Sequence, residues 1–103
     1  VEALADEAVQ EDEAIIERLR ELERVAARVL GETNSSTLAL RDAMCRRLTE
    51  LFRTDESEPM LRQTLATRVS INGPDHPESL ACRQNLARAL WLMRRHKEAE
   101  REY

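Results

Sequence analysis

The chain has 103 residues, enough for one domain near the lower end of the sizes that bury a workable core. Only two glycines and three prolines interrupt it, and an aromatic fraction of 3% excludes both an aromatic-lined ligand cavity and a base-stacking platform. The net charge is −4, and residues 1–14 hold six carboxylates without a basic side chain. Such a segment is either a solvated acidic helix start or a tail that repels nucleic acid or docks on a basic partner.

The first predicted helix ends at Leu30, because Gly31 is a favoured C-terminal stop. Two descriptions fit its beginning. A separate helix Val1–Val9 followed by a turn at Gln10-Glu11-Asp12 is the one we favour, and a single helix from Val1 to Leu30 is the alternative. From residue 13 onward the apolar residues recur at helical spacing: Ile15, Leu19, Leu22, Ala26 and Val29. The same spacing resembles a coiled-coil seam, which Gly31 ends before the about three or four heptads that such a seam needs.

The second predicted helix runs from about Ser36 to Phe52, with Asn34 or Ser35 as its N-cap. Its buried stripe is predicted to be Leu40, Met44, Leu48 and Leu51. A turn over residues 53–56 follows, and the third helix begins near Ser57, because Pro59 cannot donate a backbone hydrogen bond and fits a first turn. This helix ends at Asn72.

A tight connector, Gly73-Pro74-Asp75-His76-Pro77, opens the fourth helix, which continues to about Met93. After a turn over residues 94–96, a fifth helix begins over Lys97–Tyr103.

The connector repeats an earlier segment at a distance of 42 residues: Gly31 matches Gly73, Leu38 matches Leu80 and Arg41 matches Arg83. A period of this size indicates stacked helix pairs, whose function comes from a surface and not from a pocket.

The last repeat of the chain resembles a tetratricopeptide repeat, in which a large apolar residue adjoins a small one on the first helix, and a small alanine precedes an aromatic residue on the second. The residues that carry the resemblance are Leu86-Ala87, Leu90, His96-Lys97-Glu98-Ala99-Glu100 and Tyr103. The 42-residue period and the connector followed by Ser79-Leu80 and Asn85-Leu86-Ala87 resemble the kinesin-light-chain-like subclass, which is common in bacterial signalling ATPases and transcriptional regulators.

The earlier copy departs from this pattern at several positions. Ser57 stands where Ala99 does, and Leu61 replaces the aromatic residue. Phe52 and Arg94 occupy positions where the family usually has a turn glycine. The resemblance implies an all-α, right-handed α-solenoid of antiparallel helix pairs with about two and a half repeats. Residues 1–103 then form a single domain in which residues 1–30 end a preceding repeat, residues 31–72 form one repeat and residues 73–103 begin another.

Catalytic and metal-binding chemistry has little support in the sequence. His76 is explained by the turn and cap that it forms beside Asp75, and His96 has no second ligand at metal spacing. Cys45 and Cys82 lie too far apart for a zinc motif and fall on apolar helix faces, which indicates buried thiols in a reducing cytoplasm. We therefore expect no enzyme activity, no cofactor and no metal. No segment has the pattern of a membrane span or a signal peptide.

The resemblance implies that the first helices of successive repeats line a concave groove that holds a partner segment. Asn85 corresponds to a position that often holds a peptide backbone, or it bonds within the stack. Trp91 is either an interface anchor or half covered by the next repeat. With Leu86 and Leu90 in the core, the predicted partner-binding residues are Asp42, Arg46, Thr49, Glu50, Gln84, Asn85, Arg88, Trp91 and Leu92.

The function that we expect is protein–protein interaction within a larger cytoplasmic signalling or regulatory protein. The lack of an initiator methionine and the end within a helical pattern at Tyr103 favour a piece of a longer chain. One alternative is self-association through the open solenoid end at Tyr103. Another is an accessory domain of a nucleic-acid-binding regulator, against which the interspersed glutamates and the acidic N-terminus argue.

Overall fold

A computed structural model describes the backbone of residues 2–93 and the side chains of residues 7–93. In this range the chain forms four α-helices: α1 (Glu2–Leu30), α2 (Ser35–Glu50), α3 (Thr54–Asn72) and α4 (Pro77–Leu92). The predicted turn over residues 94–96 and the predicted fifth helix over Lys97–Tyr103 lie outside the described residues. None of the four helices is both long enough and apolar enough to cross a bilayer.

The four helices form an all-α solenoid in which each helix packs on its neighbours in sequence. Ion pairs between α1 and α2 show that they run antiparallel, because Asp12 faces Arg47 while Glu23, further along α1, faces the earlier Arg41. The α2–α3 pair is antiparallel for the same reason: Thr49 bonds to Ser57, while the earlier Asp42 pairs with the later Arg68. The α3–α4 pair is antiparallel too, because Asn72 bonds to Glu78 while the earlier Arg68 bonds to the later Cys82. As a consequence α2 and α4 run in the same direction.

Both repeat turns are built in the same way, as the 42-residue period predicts. Gly31 and Gly73 have φ of 97° and 89°, a region that glycine enters without strain. Six residues later a buried hydroxyl closes each turn: Thr37 donates to the carbonyl of Gly31 and Ser79 to that of Gly73, both at 2.8 Å. The two copies therefore enter α2 and α4 in the same way.

The helix N-caps are also equivalent. The Asn34 side chain accepts a hydrogen bond from the backbone N–H of Ser36 at 2.9 Å, and Nδ1 of His76 accepts one from Glu78 at 3.1 Å. Each bond satisfies one of the backbone donors that a helix start leaves open. His76 is thus a capping residue, as predicted.

The core consists of two small clusters of aliphatic and thiol side chains. One cluster joins α2, α3 and α4 through Cys45, Leu61, Leu86, Ala89 and Leu90. The other joins α1 to α2 through Ile16, Met44 and Leu48. Met60 of α3 packs against both clusters and makes the core continuous.

The favoured turn at Gln10-Glu11-Asp12 is wrong, because α1 runs without a break from Glu2 to Leu30. Residues 2–30 contain neither glycine nor proline, and glutamate and glutamine are good helix formers, so nothing local stops the helix. The apolar stripe also faces partly away from the core. Ile16 and Ala26 are buried, whereas Ile15, Leu22 and Val29 are exposed.

The third helix begins at Thr54 and not near Ser57, which places Pro59 inside α3. The turn between α2 and α3 takes only the three residues 51–53, so α3 begins earlier than predicted. Phe52 N–H bonds to the carbonyl of Thr49 and Arg53 N–H bonds to that of Leu48, the pair of bonds that defines a Schellman helix end. Pro59 removes only one backbone bond, the one that would reach Asp55.

The Schellman turn forces Phe52 into the left-handed region, with φ of 59°. An L-residue with a Cβ is strained there, and the Phe52 ring is 76% exposed, so its burial does not offset the strain.

We predict that Phe52→Gly raises the free energy of unfolding by about 1 kcal/mol, because glycine adopts this conformation without a Cβ clash. Urea denaturation followed by circular dichroism measures the change. Phe52→Ala is the matched control, since it removes the ring and keeps the strained Cβ. An equal gain in both variants would show that the ring, and not the backbone, limits stability.

Candidate protein-binding groove

Four of the nine predicted partner-binding residues surround one small cavity between α2 and α4. The cavity is lined by Arg46, Thr49, Asn85 and Arg88, with Cys45 and Leu61 as the remaining lining residues. Its volume is ≈ 10 Å³, which is room for about one water molecule. The cavity is therefore too small to enclose a small-molecule ligand.

The two arginines of the groove occupy the same position in successive repeats, since Arg88 follows Arg46 by 42 residues. Both side chains are exposed, whereas Cys45 beneath them is buried. Equivalent turns and the common direction of α2 and α4 bring these two arginines to the same cavity. The residues that line the cavity thus include two arginines and a polar amide, Asn85.

Thr49 belongs to the wall of the cavity and to the helix packing at the same time. It is 5% exposed, and its hydroxyl donates to Ser57 of α3 at 3.1 Å. This bond holds α2 against α3 below the groove. Only the adjacent Arg46 and Glu50 extend from this part of α2 into solvent.

The remaining predicted residues on α4 lie beyond the cavity. Gln84 is exposed, Leu92 is half-buried, and Trp91 is 53% exposed. On α2, Oε2 of Glu50 lies 4.0 Å from Nη1 of Arg47. Glu50 and Arg46 also line a wider depression between α1 and α2. The structure brings Arg46, Thr49, Asn85 and Arg88 together and leaves the other residues at the margins.

Asp42, the ninth residue, takes part in a buried ionic cluster between three helices. Nη1 of Arg68, on α3, donates to Oδ2 of Asp42 at 2.6 Å and to Sγ of Cys82, on α4, at 2.9 Å. The arginine side chain is 8% exposed, and Glu78 lies 3.9 Å from its Nε. The Asp42 carboxylate is therefore committed to joining α2, α3 and α4.

Sequence reasoning missed Arg68, although the repeat contained a signal for it. Arg68 follows the buried Ala26 by 42 residues, so a charged side chain stands at a core position of the earlier helix. A buried cation needs an anion within reach, and Asp42 on the adjacent helix supplies it. The same comparison of copies predicts Leu61 at the floor of the groove, because it matches Leu19.

Both cysteine thiols are buried and free. Burial, with a smaller contribution from the nearby Asp42 carboxylate, raises the pKa of Cys45 to about 12. Burial also raises the pKa of Cys82, against the hydrogen bond from Arg68. Among the described residues no three side chains of metal-binding type are close enough together to hold an ion.

A family model described as tetratricopeptide repeat matches residues 36–103, which is more than half of the chain. Comparison with curated proteins and with solved structures gives no match. The matched segment begins at the start of α2 and includes every residue of the cavity.

We predict that Arg68→Met lowers the free energy of unfolding by about 3 kcal/mol, because it leaves the Asp42 carboxylate partly buried without a cation. Chemical denaturation measures the loss. Arg20→Met is the control, since its pair with Glu56 is over a third exposed and contributes less than about 1 kcal/mol. Equal losses in the two variants would contradict the buried-pair assignment.

We also predict that neither thiol reacts with iodoacetamide in the folded protein at pH 8. A pKa of about 12 leaves Cys45 with roughly a thousandfold less thiolate than an ordinary cysteine, and burial blocks access. Mass spectrometry of the alkylated chain counts the modified thiols, and the urea-unfolded protein is the positive control. Rapid labelling of Cys45 in the folded chain would show that the groove floor opens.

Proposed function

Because the chain belongs to the tetratricopeptide repeat family, we propose that it is a protein-interaction module whose groove, formed by α2 and α4, holds a segment of a partner protein. The observation that supports this most strongly is the convergence of Arg46, Asn85 and Arg88 from two repeats on one cavity. The groove is too shallow for a small-molecule site, which buries most of its ligand. A polypeptide segment can lie along it and contact both repeats.

The side chains of the groove favour a partner with carboxylates. An arginine guanidinium donates two parallel hydrogen bonds to a carboxylate, and two arginines at one cavity select a segment with acidic groups. The Asn85 amide both donates and accepts, so it suits the peptide backbone between those groups. Trp91, at the margin, offers apolar area to a neighbouring partner side chain.

The proposed mechanism is presentation on a rigid support. The two arginines extend from helices whose starts are fixed by caps and by closed glycine turns. Because these helices are already ordered, binding immobilises only the arginine side chains and the partner segment. A long flexible loop with the same residues would lose more conformational entropy and bind more weakly.

The wider context follows from the same reasoning. We place the module in the cytoplasm, since free buried thiols suit a reducing compartment. We assign it a scaffolding role in a larger signalling or regulatory protein and no catalytic role of its own. Nucleic acid is a poorer partner, because the arginines of the described helices alternate with carboxylates such as Glu23 and Glu56, with which they pair.

We predict that an acidic peptide selected from a random peptide library binds the wild-type chain and loses about a hundredfold in affinity for Arg46→Ala/Arg88→Ala. Each arginine is expected to contribute about tenfold, and the affinity falls as salt concentration rises. Fluorescence anisotropy with the labelled peptide measures the dissociation constants.

The matched control is Arg62→Ala, which removes an exposed arginine from α3 outside the cavity. It leaves the affinity within about twofold, because Arg62 does not line the cavity and its charge pairs with Glu58 of its own helix. A peptide that binds the double variant and wild type equally would refute the groove assignment. A library that yields only basic or uncharged binders would refute the proposed partner chemistry.

A further inference from the structure

The cavity between α2 and α4 has a wider counterpart one repeat earlier, the α1–α2 depression. Three of the residues that line the two spaces are related by the 42-residue period: Leu19 corresponds to Leu61, Ala43 to Asn85 and Arg46 to Arg88. The depression has a volume of ≈ 340 Å³, whereas that of the cavity is ≈ 10 Å³. The repeat therefore forms the same kind of space twice, and the earlier copy is open.

The two spaces differ in size because a third helix closes only the later one. Cys45 and Thr49 of α2 line the cavity opposite α4, and the turn over residues 51–53 folds α2 back onto α3. The corresponding residues 9–11 are helical in α1, so no turn brings a helix back onto α1 at this level. Within the described residues the α1–α2 depression is lined by α1 and α2 alone.

The part of the depression that α1 forms is apolar. Ile15 is 39% exposed, and Leu19 beside it is half-buried. Both also line an adjoining hollow, together with Ala14 and Arg18. On α2, Ala43 offers a methyl group where the later copy has the amide of Asn85. The depression therefore suits an apolar side chain better than a carboxylate or a peptide group, which would lose water there without gaining a hydrogen bond.

Arg46 joins the two sites, because it lines both the cavity and the depression. A segment whose carboxylate pairs with Arg46 and Arg88 therefore passes directly beside the apolar residues of α1. Packed helices lie about 8–10 Å apart, which an extended chain covers in about three residues. An apolar side chain that reaches Ile15 is thus about three residues from that carboxylate along the partner.

Charge favours an acidic partner over the whole of this surface. Within the described part of the chain, Arg18, Arg46 and Arg88 take part in no ion pair, so their charges are open to a ligand. One carboxylate, that of Glu50, lines the depression, and it lies 4.0 Å from Arg47 on the same helix. The surface from α4 to α1 therefore keeps a positive charge that an acidic segment complements.

We propose that the partner segment crosses α2 and places an apolar side chain in the α1–α2 depression, against Ile15 and Leu19. This inference rests on the proposed function and specifies its ligand: an acidic segment with a large aliphatic or aromatic residue about three positions from the carboxylate that Arg46 and Arg88 bind. Helix α1 is thereby part of the binding surface, beside α2 and α4. Its apolar face distinguishes such a segment from one that is only acidic.

Fluorescence anisotropy with the acidic peptide selected from the random library tests the proposal. We expect Ile15→Asn to raise the dissociation constant about tenfold, because it removes an apolar contact without adding a charge. Val29→Asn is the matched control, since Val29 is an exposed apolar residue of the same helix and lines neither site. It leaves the constant within about twofold. Circular dichroism checks that both variants keep their helices.

A double-mutant cycle with the peptide identifies the contact itself. Alanine in place of the apolar peptide residue raises the dissociation constant about tenfold for the wild-type chain. For Ile15→Asn the same peptide change costs less than about twofold, because the contact is already lost. For Arg88→Ala it still costs about tenfold, since the carboxylate site is a separate contact.

The outcomes separate this proposal from the proposed function. Equal affinity of the peptide for Ile15→Asn and wild type, with Arg46→Ala/Arg88→Ala still impaired, overturns the apolar site and leaves the groove in place. Equal losses for Ile15→Asn and Val29→Asn, or selected peptides without an apolar residue near the acidic one, also overturn it. A chain that binds no library peptide, or binds it equally well without the two arginines, overturns both proposals.

Discussion

The closed glycine turn fixes the geometry on which the rest of the molecule depends. A glycine at positive φ reverses the chain after one helix, and a buried hydroxyl six residues later bonds back to the carbonyl of that glycine. Two such turns, at Gly31 and Gly73, start α2 and α4 with the same backbone geometry. Because α3 packs against both and runs in the opposite direction, α2 and α4 run in the same direction and bring equivalent residues to one cavity.

The groove follows from this equivalence together with the side chains beneath it. Arg46 and Arg88 meet at one cavity because they occupy the same position on two equivalent helices. Below them, the ionic cluster around Arg68 joins three helices, and its buried charge requires a defined arrangement to be satisfied. The proposed partner-binding surface thus stands on helices that are joined by buried contacts.

Much of this architecture could be predicted from the sequence, because its signals are local. Gly31, Asn34 and Pro77 mark helix ends by their backbone preferences, and the 42-residue match makes each turn evidence for the other. The same match identified the positions of Arg46 and Arg88. That the two arginines line one cavity depends on how α2 and α4 pack, which the sequence alone does not give.

Other features depend on contacts that a local pattern does not contain. The continuous α1 lacks any helix breaker, so only the expectation of a regular repeat suggested a turn at residue 10. Ile16 is buried and Ile15 is exposed because of the way α1 is rotated against α2. Two adjacent isoleucines in the sequence do not reveal that rotation. Phe52 fills the helix end that glycine usually takes, because the Schellman bonds hold a strained residue there.

Residual dipolar couplings for the backbone amides of α2 and α4 test the equivalence of the two repeats most directly. The account predicts that one alignment tensor fits both helices, with their axes nearly parallel. Axes that diverge, or two tensors that differ because α4 moves independently of α2, would contradict it and leave the arginine pair without a common groove.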